Sequence, residues 1–378
     1  MTDLTNSLLQ RRGFLGRLAA AAGAGFALVG CGTSAPAGNA GAAPAAAGKK
    51  FRWRLVMVVP KTFKIWGDGI LEFADKVRVM SGGRLNIDVY GAGELVPPLE
   101  VFDAVKQGQV ELGHSASYYW RGKIPGAEYF TSVPFGLNAD GMLSWLYSGE
   151  GLALWEELYA PHGIKPIPCG NTGVQMGGWF RKEIKSIEDF RGLKMRMPGV
   201  GGEVIAKAGA KPVLIPGNEI FPHLETGVID AAEWIGPYHD YLLGLPKVAN
   251  YYYSAGWHEP GSMLELLVNL EAWNSLPEDL QLIVRNCAIA TSSKMFASWL
   301  HMDAVYYEKL KQEGKTIFKE FPPEVTHQLH LYADEVLKEV AGKSPIAAKI
   351  HASFKAFQQS YEAYQELSER AYVRAQKA

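Results

Sequence analysis

The stretch SIEDFRGLKMRMPGVGGEVIAKAGAKPVLIPGNEIFPHLETGVIDAAEW, residues 186–234, alternates short apolar runs with helix-like segments. The runs KMRM, KPVLIP and VIDAAEW are predicted to be strands, and GGEVIAKAGA and GNEIFPHLETG to be helices. Ser186 followed by Asp189 matches a capping box, which predicts a short helical turn before the first strand. Strands that alternate with helices indicate parallel strands joined by right-handed crossovers, and therefore an α/β fold.

A similar pattern precedes this stretch. FRWRLVMVV, RLNIDVYG and VELGHSAS are predicted strands with helical segments between them, and GSMLELLVN is predicted to be a long strand that returns to this first unit. Two such units predict a two-lobed protein, with lobe I at 51–169 plus 258–300 and lobe II at 170–257. In open parallel sheets, ligands bind beyond the carboxyl ends of the strands, which places a ligand in the cleft between the lobes.

The first residues are predicted to be an export signal, residues 1–31, followed by a flexible Ala/Gly/Pro-rich tether at 32–50. Arg11-Arg12 before Phe14-Leu15 favours the twin-arginine route to the periplasm. The apolar run that follows is shorter than the roughly 20 residues of a membrane-spanning helix. The run LVGC resembles a lipobox, so the mature chain is predicted either to be lipid-anchored at Cys31 or to be cleaved elsewhere and released.

Composition and motifs argue against several classes of protein. The 378 residues carry a formal net charge of −1, which argues against a nucleic-acid-binding or polybasic membrane protein. The sequence has no G-x-S-x-G, H-E-x-x-H or P-loop pattern. Beyond the signal, only Cys169 and Cys287 remain, and they are predicted to be buried free thiols rather than a disulfide.

Arg196 places a guanidinium near the end of the predicted strand KMRM. Pro198-Gly199 then turns the chain and leaves backbone open to a ligand. A guanidinium is a planar fork that matches one carboxylate. Arg196 is therefore predicted either to bind a carboxylate in the cleft or to form a structural ion pair, with Asp189 or Glu203 as partners.

Several hard oxygen atoms are predicted to lie near the same cleft. Glu233 and Trp234 end another strand of lobe II, Glu259 lies where the chain crosses back, and Gln175 lies near the start of lobe II. Carboxylate, amide and main-chain oxygens suit a hard cation. Glu233 is also a partner for Arg196, because a carboxylate is costly to bury unpaired. The alternative is a surface carboxylate and an ordinary hydrogen-bonded glutamine.

Aromatic residues mark two further positions. Tyr118 and Tyr119 follow the third strand of lobe I, where they either close over a ligand, with a phenol as donor, or belong to the core. Residues 301–378 are predicted to be helical. From Ser344-Pro345 onward a stripe repeats at helical spacing and packs either on its own lobe or on a second copy of the chain. The stripe consists of Ile350, Phe354, Phe357, Tyr361 and Tyr364.

SIEDFRGLKMRMPG and AGAKPVLIPGNEIFPHLETGVIDAAEW resemble the extracytoplasmic solute-binding component of TRAP (tripartite ATP-independent periplasmic) transporters. The resemblance extends from FRWRLVMVV to the C-terminal helices. It implies an α/β, two-lobed periplasmic binding protein fold with a long C-terminal helix, and delivery of a solute to TRAP membrane permease subunits.

The resemblance also implies roles for individual residues. Arg196 matches the family's arginine that binds the solute carboxylate. Gln175, Glu233 and the Trp234 carbonyl match the ligands of a metal cation, sodium or calcium, in the branch that binds 2-oxo or 2-hydroxy monocarboxylates, and Glu259 is a less secure fourth ligand. The long C-terminal helix implies a homodimer.

Two other functions stay open. An exported metal-assisted enzyme could act on a small organic acid with Glu259 as base and a cation as Lewis acid. The binding protein of an ATP-driven importer would share the same mechanics but serve another permease.

Overall fold

A computed structural model describes residues 48–377. The predicted export signal, the lipobox at Cys31 and all but the last residues of the tether lie outside the described residues. No helix in the described part is long and apolar enough to cross a membrane.

The secondary structure of residues 48–377 is as follows. The strands are β1 (Phe51–Met57), β2 (Leu85–Tyr90), β3 (Leu112–Ser115), β4 (Ile164–Asn171), β5 (Gly178–Phe180), β6 (Lys194–Arg196), β7 (Lys211–Val213), β8 (Ala231–Ala232), β9 (Tyr251–Ser254), β10 (Met263–Asn269) and β11 (Ile317–Glu320). The α-helices are α1 (Trp66–Met80), α2 (Val101–Lys106), α3 (Ala139–Tyr147), α4 (Gly151–Tyr159), α5 (Gly199–Lys207), α6 (Gly217–Glu225), α7 (Pro237–Leu243), α8 (Leu270–Ser275), α9 (Glu278–Glu313), α10 (Pro323–Ala341), α11 (Pro345–Leu367) and α12 (Glu369–Gln376).

The first sheet has the strand order β2-β1-β3-β10-β4. β1 is parallel to both β2 and β3, as the strand–helix alternation predicts. β10 is antiparallel to β3 and β4, which confirms that GSMLELLVN returns to the first unit. Leu55, Leu112 and Leu266 are fully buried in this sheet. This sheet is the core of lobe I.

The second sheet has the order β11-β9-β5-β8-β6-β7 and forms the core of lobe II. β6 lies parallel to β7 and β8, with Arg196 opposite Ala232. Ile187–Phe190 forms the predicted turn, and its capping box between Ser186 and Asp189 is present. The prediction that residues 301–378 are helical is wrong at β11, because this short strand gains its partner only through tertiary pairing with β9.

The C-terminal stripe divides along α11. Ile350 and Phe354 are buried, and Phe354 packs edge-on against Tyr129 and Trp145 of lobe I. Tyr364 is 65% exposed. The first half of the stripe therefore covers its own lobe, as one interpretation predicts.

Cys169 and Cys287 are both buried and free, which confirms the expectation of two thiols. Burial raises the pKa of both thiols, so neither is a reactive thiolate at neutral pH.

Candidate functional site

Arg196 and Glu233 meet at the end of two parallel strands. Because Arg196 lies opposite Ala232, the next residue, Glu233, projects just past the edge of the sheet beside the guanidinium. Both side chains are buried, and Arg196 Nη1 donates to Glu233 Oε1 and, at 2.9 Å, to the Glu233 carbonyl. Burial is the largest single effect and lowers the pKa of Arg196, but the surrounding acidic groups, Glu233 foremost, together outweigh it and the pKa lies above its ordinary value.

The guanidinium is only partly used by these contacts. Arg196 Nε donates to the Ile215 carbonyl at 3.4 Å, and Nη2 makes no hydrogen bond within residues 48–377. Neither of the partners proposed for a structural ion pair contacts it: Asp189 caps its own turn, and Glu203 pairs with Arg121. One edge of a buried cation is therefore available to an anion.

Two carboxylates and an imidazole lie close together here. Ligand atoms of Glu233, His258 and Glu259 are all within 4.8 Å of one another. His258 Nε2 is 3.0 Å from Glu233 Oε2, and Ser262 Oγ donates to Glu259 Oε2 at 2.5 Å. Burial, together with the charge of Glu233, raises the pKa of Glu259 to about 7. Sequence reasoning missed His258, although its place next to Glu259 in GWHEPG was a signal.

Gln175 is tied to Glu259 through the backbone, since the Gln175 N–H donates to the Glu259 carbonyl at 3.1 Å. Its side chain is buried, and Nε2 donates to Thr172 Oγ1 at 3.2 Å. Oε1 is buried and has no hydrogen-bond partner among the described residues. A buried amide oxygen without a hydrogen-bond donor is suited to a cation.

Trp234 contributes to the site with both its ring and its backbone. The Arg196 guanidinium lies 5.0 Å from the centroid of the indole, and the Phe63 ring of lobe I packs edge-on against it. No hydrogen bond in the described part of the chain ends at the Trp234 carbonyl. That oxygen is therefore free to bind a ligand or ion.

Lobe I closes the other side of the site. Tyr118 and Tyr119 belong to the turn Ser117–Trp120, and their rings meet edge-on at 4.8 Å. The Tyr118 ring approaches α5 so closely that a Cβ added at Gly199 would lie 3.3 Å from it. Burial raises the pKa of both phenols, so both remain O–H donors. The Tyr118 ring thus contacts lobe II rather than lying only within lobe I, and Tyr119 packs against Tyr118.

The donor set fits a hard cation. Glu233, Glu259, Gln175 and the Trp234 carbonyl offer oxygen atoms, which sodium and calcium prefer. Two buried carboxylates face one guanidinium, so a cation would offset their excess negative charge. His258 Nε2 is already engaged by Glu233, which makes a nitrogen-rich site of the zinc type a poorer fit.

Comparison with known proteins matches this chain to a family of solute-binding proteins. Residues 56–344 match the family DctP, bacterial extracellular solute-binding protein, family 7. The monocarboxylate 2-oxoacid-binding periplasmic protein of Nostoc sp. (strain PCC 7120) is 42% identical over 323 residues, which cover 85% of this chain and 88% of the relative.

Two solved structures are also similar. The TRAP periplasmic solute-binding protein from Colwellia psychrerythraea, with bound calcium and pyruvate, is 44% identical with a TM-score of 0.84, covering 86% of this chain and 100% of that one. The one from Pseudoalteromonas atlantica, with bound sodium and pyruvate, is 43% identical with a TM-score of 0.84, covering 86% and 99%. These matches confirm the two-lobed periplasmic binding protein fold with a long C-terminal helix. The chain belongs to the DctP family of bacterial extracellular solute-binding proteins.

Proposed function

We propose that this chain is the solute-binding component of a TRAP transporter. It captures a small 2-oxo or 2-hydroxy monocarboxylate together with a metal cation, calcium or sodium, in the cleft between its lobes, and delivers the acid to the membrane permease. Two observations carry this proposal: Nη2 of buried Arg196 makes no hydrogen bond among the described residues, and the buried side-chain oxygen of Gln175 is without a partner there. The calcium, sodium and pyruvate found in the similar structures support it.

Different residues would bind the two ends of the acid. Arg196 offers the N–H groups of Nη2 to the carboxylate, because Nη1 and Nε already donate to Glu233 and Ile215. Gln175 Oε1, Glu233 and the Trp234 carbonyl would hold the cation, with Glu259 as a fourth ligand. When bound, the cation supplies a positive centre for one carboxylate oxygen and the neighbouring oxo or hydroxyl oxygen.

Charge balance is compatible with either cation. Arg196 supplies one positive charge, and Glu233 and the solute supply one negative charge each, while Glu259, whose pKa is raised to about 7, supplies a further one only when ionised. With His258 counted as neutral, a monovalent ion therefore balances these groups with Glu259 protonated, and a divalent ion balances them with Glu259 ionised. A buried excess charge is costly. A dicarboxylate would add a further negative charge, which favours a monocarboxylate.

Contacts across the cleft support closure around the solute. Arg121 follows the tyrosine turn of lobe I and pairs with Glu203 of α5 in lobe II, while Phe63 reaches Trp234. A solute that contacts both lobes shifts the population toward the closed form, which the permease would recognise.

Calorimetric titration of the mature protein with pyruvate tests this function. In calcium the binding should be saturable, a chelator should weaken it at least tenfold, and succinate should bind far more weakly. Pyruvate should be recovered unchanged by NMR, since we propose a binding protein and not an enzyme. Pyruvate affinity that ignores cations, or consumption of pyruvate, would contradict the proposal. Two neighbouring integral-membrane genes without an ATPase gene would separate it from an ATP-driven importer.

We further propose export to the periplasm, in line with the periplasmic relatives, and a homodimer formed through α11. The exposed end of α11 supports the dimer, because Tyr364 and Leu367 are 65% and 82% exposed. Large exposed apolar side chains on one helix are typical of a protein contact. The twin-arginine route and the anchor at Cys31 rest on the sequence pattern alone.

A further inference from the structure

The peptide group that joins Trp234 to Ile235 is held at one end and open at the other. Its N–H, on Ile235, donates to Asp240 Oδ1 at 3.1 Å. Its C=O, on Trp234, is the oxygen that no described residue binds. A trans peptide is planar, with its N–H and C=O pointing in opposite directions. Fixing the N–H therefore also fixes the direction in which the carbonyl oxygen points.

Asp240 is itself fixed in place. Its side chain is 1% exposed, and its other oxygen, Oδ2, accepts from Trp179 Nε1 at 3.0 Å and from the Tyr252 hydroxyl at 2.8 Å. No lysine, arginine or histidine in the described part of the chain forms an ion pair with it. A buried carboxylate with three neutral donors and no cationic partner is costly. Burial raises the pKa of Asp240 to about 7, and the three donors hold both of its oxygens in place.

Gln175 shows the same arrangement in a side-chain amide. Thr172 Oγ1 accepts from Nε2, which fixes the orientation of the amide and leaves Oε1 without a donor. Thr172 Oγ1 in turn donates to the Gly173 carbonyl at 3.1 Å. In both amides the N–H end is bound by a protein acceptor and the oxygen end is free.

We propose that Asp240 and Thr172 are positioning residues for the cation site: each holds the nitrogen end of an amide so that its oxygen faces the cation. This inference rests on the proposed function, because it assigns residues behind the ligands of the same site. A carboxylate behind the Ile235 N–H also polarises the peptide, which places more negative charge on the Trp234 oxygen. Such partners of ligands commonly change metal affinity 10- to 100-fold.

Asp240→Asn tests the role at the peptide. The variant keeps the shape but loses the charge, and its NH₂ group must face one of the three donors. The calcium dissociation constant at saturating pyruvate should rise about 10- to 100-fold. Glu265→Gln is the matched control, because Glu265 is also buried and accepts from a tryptophan and a tyrosine, Trp120 Nε1 and the Tyr159 hydroxyl, but lies in the sheet of lobe I. The control should stay within threefold of the parent protein.

A second readout separates positioning from general destabilisation. Terbium replaces calcium, and its luminescence lifetimes in H₂O and D₂O report how many water molecules coordinate it. Asp240→Asn should add about one water, since the displaced carbonyl is replaced by solvent, while Glu265→Gln should add none. Calcium affinity and hydration that match the parent protein would overturn the role of Asp240.

Thr172→Val keeps the test decisive if Asp240→Asn does not fold. It removes only the hydroxyl that orients Gln175, and calcium affinity should fall about tenfold. Unchanged affinity in that variant would overturn the proposed pair of positioning residues. If instead the parent protein binds no cation with pyruvate, the proposed function itself fails. Measuring cation binding by the parent protein therefore distinguishes failure of the proposed function from failure of the positioning roles.

Discussion

Arg196→Lys separates the shape of the guanidinium from its charge. Alanine is a poor choice here, because it leaves Glu233 buried without its partner, which typically costs about 3–5 kcal/mol of folding stability. A lysine keeps the charge next to Glu233. Its ammonium can replace the Nη1 contacts to Oε1 and to the Glu233 carbonyl, but it has no second, coplanar pair of N–H groups for a solute.

The magnitude follows from that lost pair. A hydrogen bond to a charged group contributes about 1.5–3 kcal/mol, and about 1.4 kcal/mol corresponds to tenfold in affinity. The pyruvate dissociation constant, measured by calorimetry at fixed calcium, should therefore rise about 10- to 100-fold in Arg196→Lys. Thermal unfolding without pyruvate should show a folded protein.

Arg191→Lys is the matched control, because Arg191 is exposed and lies only five positions away in sequence. Its pyruvate affinity should match that of the parent protein. A dissociation constant for Arg196→Lys within threefold of the parent, or an equal loss in Arg191→Lys, would refute the assignment of the solute carboxylate to Arg196.

Three further predictions concern closure, pH and assembly. Glu203→Gln breaks the ion pair between the lobes with Arg121. The rate of pyruvate dissociation, measured by stopped-flow, should therefore rise a few-fold at low salt and less at high salt, because salt screens such a pair. An unchanged rate would argue against closure by this pair. Burial raises the pKa of Glu265 from 4.5 to about 8, so the folded state keeps a proton that the unfolded state loses. Between these two pKa values, the free energy of unfolding therefore falls by up to about 1.4 kcal/mol for each unit by which the pH rises. Glu265→Gln should make this fall shallower in denaturant titrations at several pH values, and a fall as steep as the parent's would contradict the prediction. Leu367→Asp, next to exposed Tyr364, should shift the mass in light scattering from dimer to monomer, and a variant that stays dimeric places the contact elsewhere.

Local sequence patterns predicted much of the fold because they depend on near neighbours. The alternation of strands and helices in 186–234 and the capping box at Ser186 are local signals. The meeting of Arg196 and Glu233 was foreseeable as well. Both residues follow or end parallel strands, and such ends lie at one edge of a sheet.

Other features depend on contacts between distant parts of the chain. β11 is only four residues long and becomes a strand because β9 offers a free edge. The partners of His258 and Asp240 could not be paired from the sequence, since Glu233 lies 25 residues from His258 and Trp179 lies 61 residues from Asp240. The pattern of a single sequence does not show which distant residues become neighbours. The residues that hydrogen-bond to the candidate ligands could therefore not be predicted.

The central claim is that one buried guanidinium and a cluster of oxygen atoms share a single small acid and a cation. A crystal structure of the protein grown with pyruvate and calcium, with the ion identified by anomalous scattering, tests it most directly. The account predicts the pyruvate carboxylate on Arg196 Nη2 and the ion on Gln175 Oε1, Glu233 and the Trp234 carbonyl. Pyruvate bound away from Arg196, or an ion held by other residues, would contradict it.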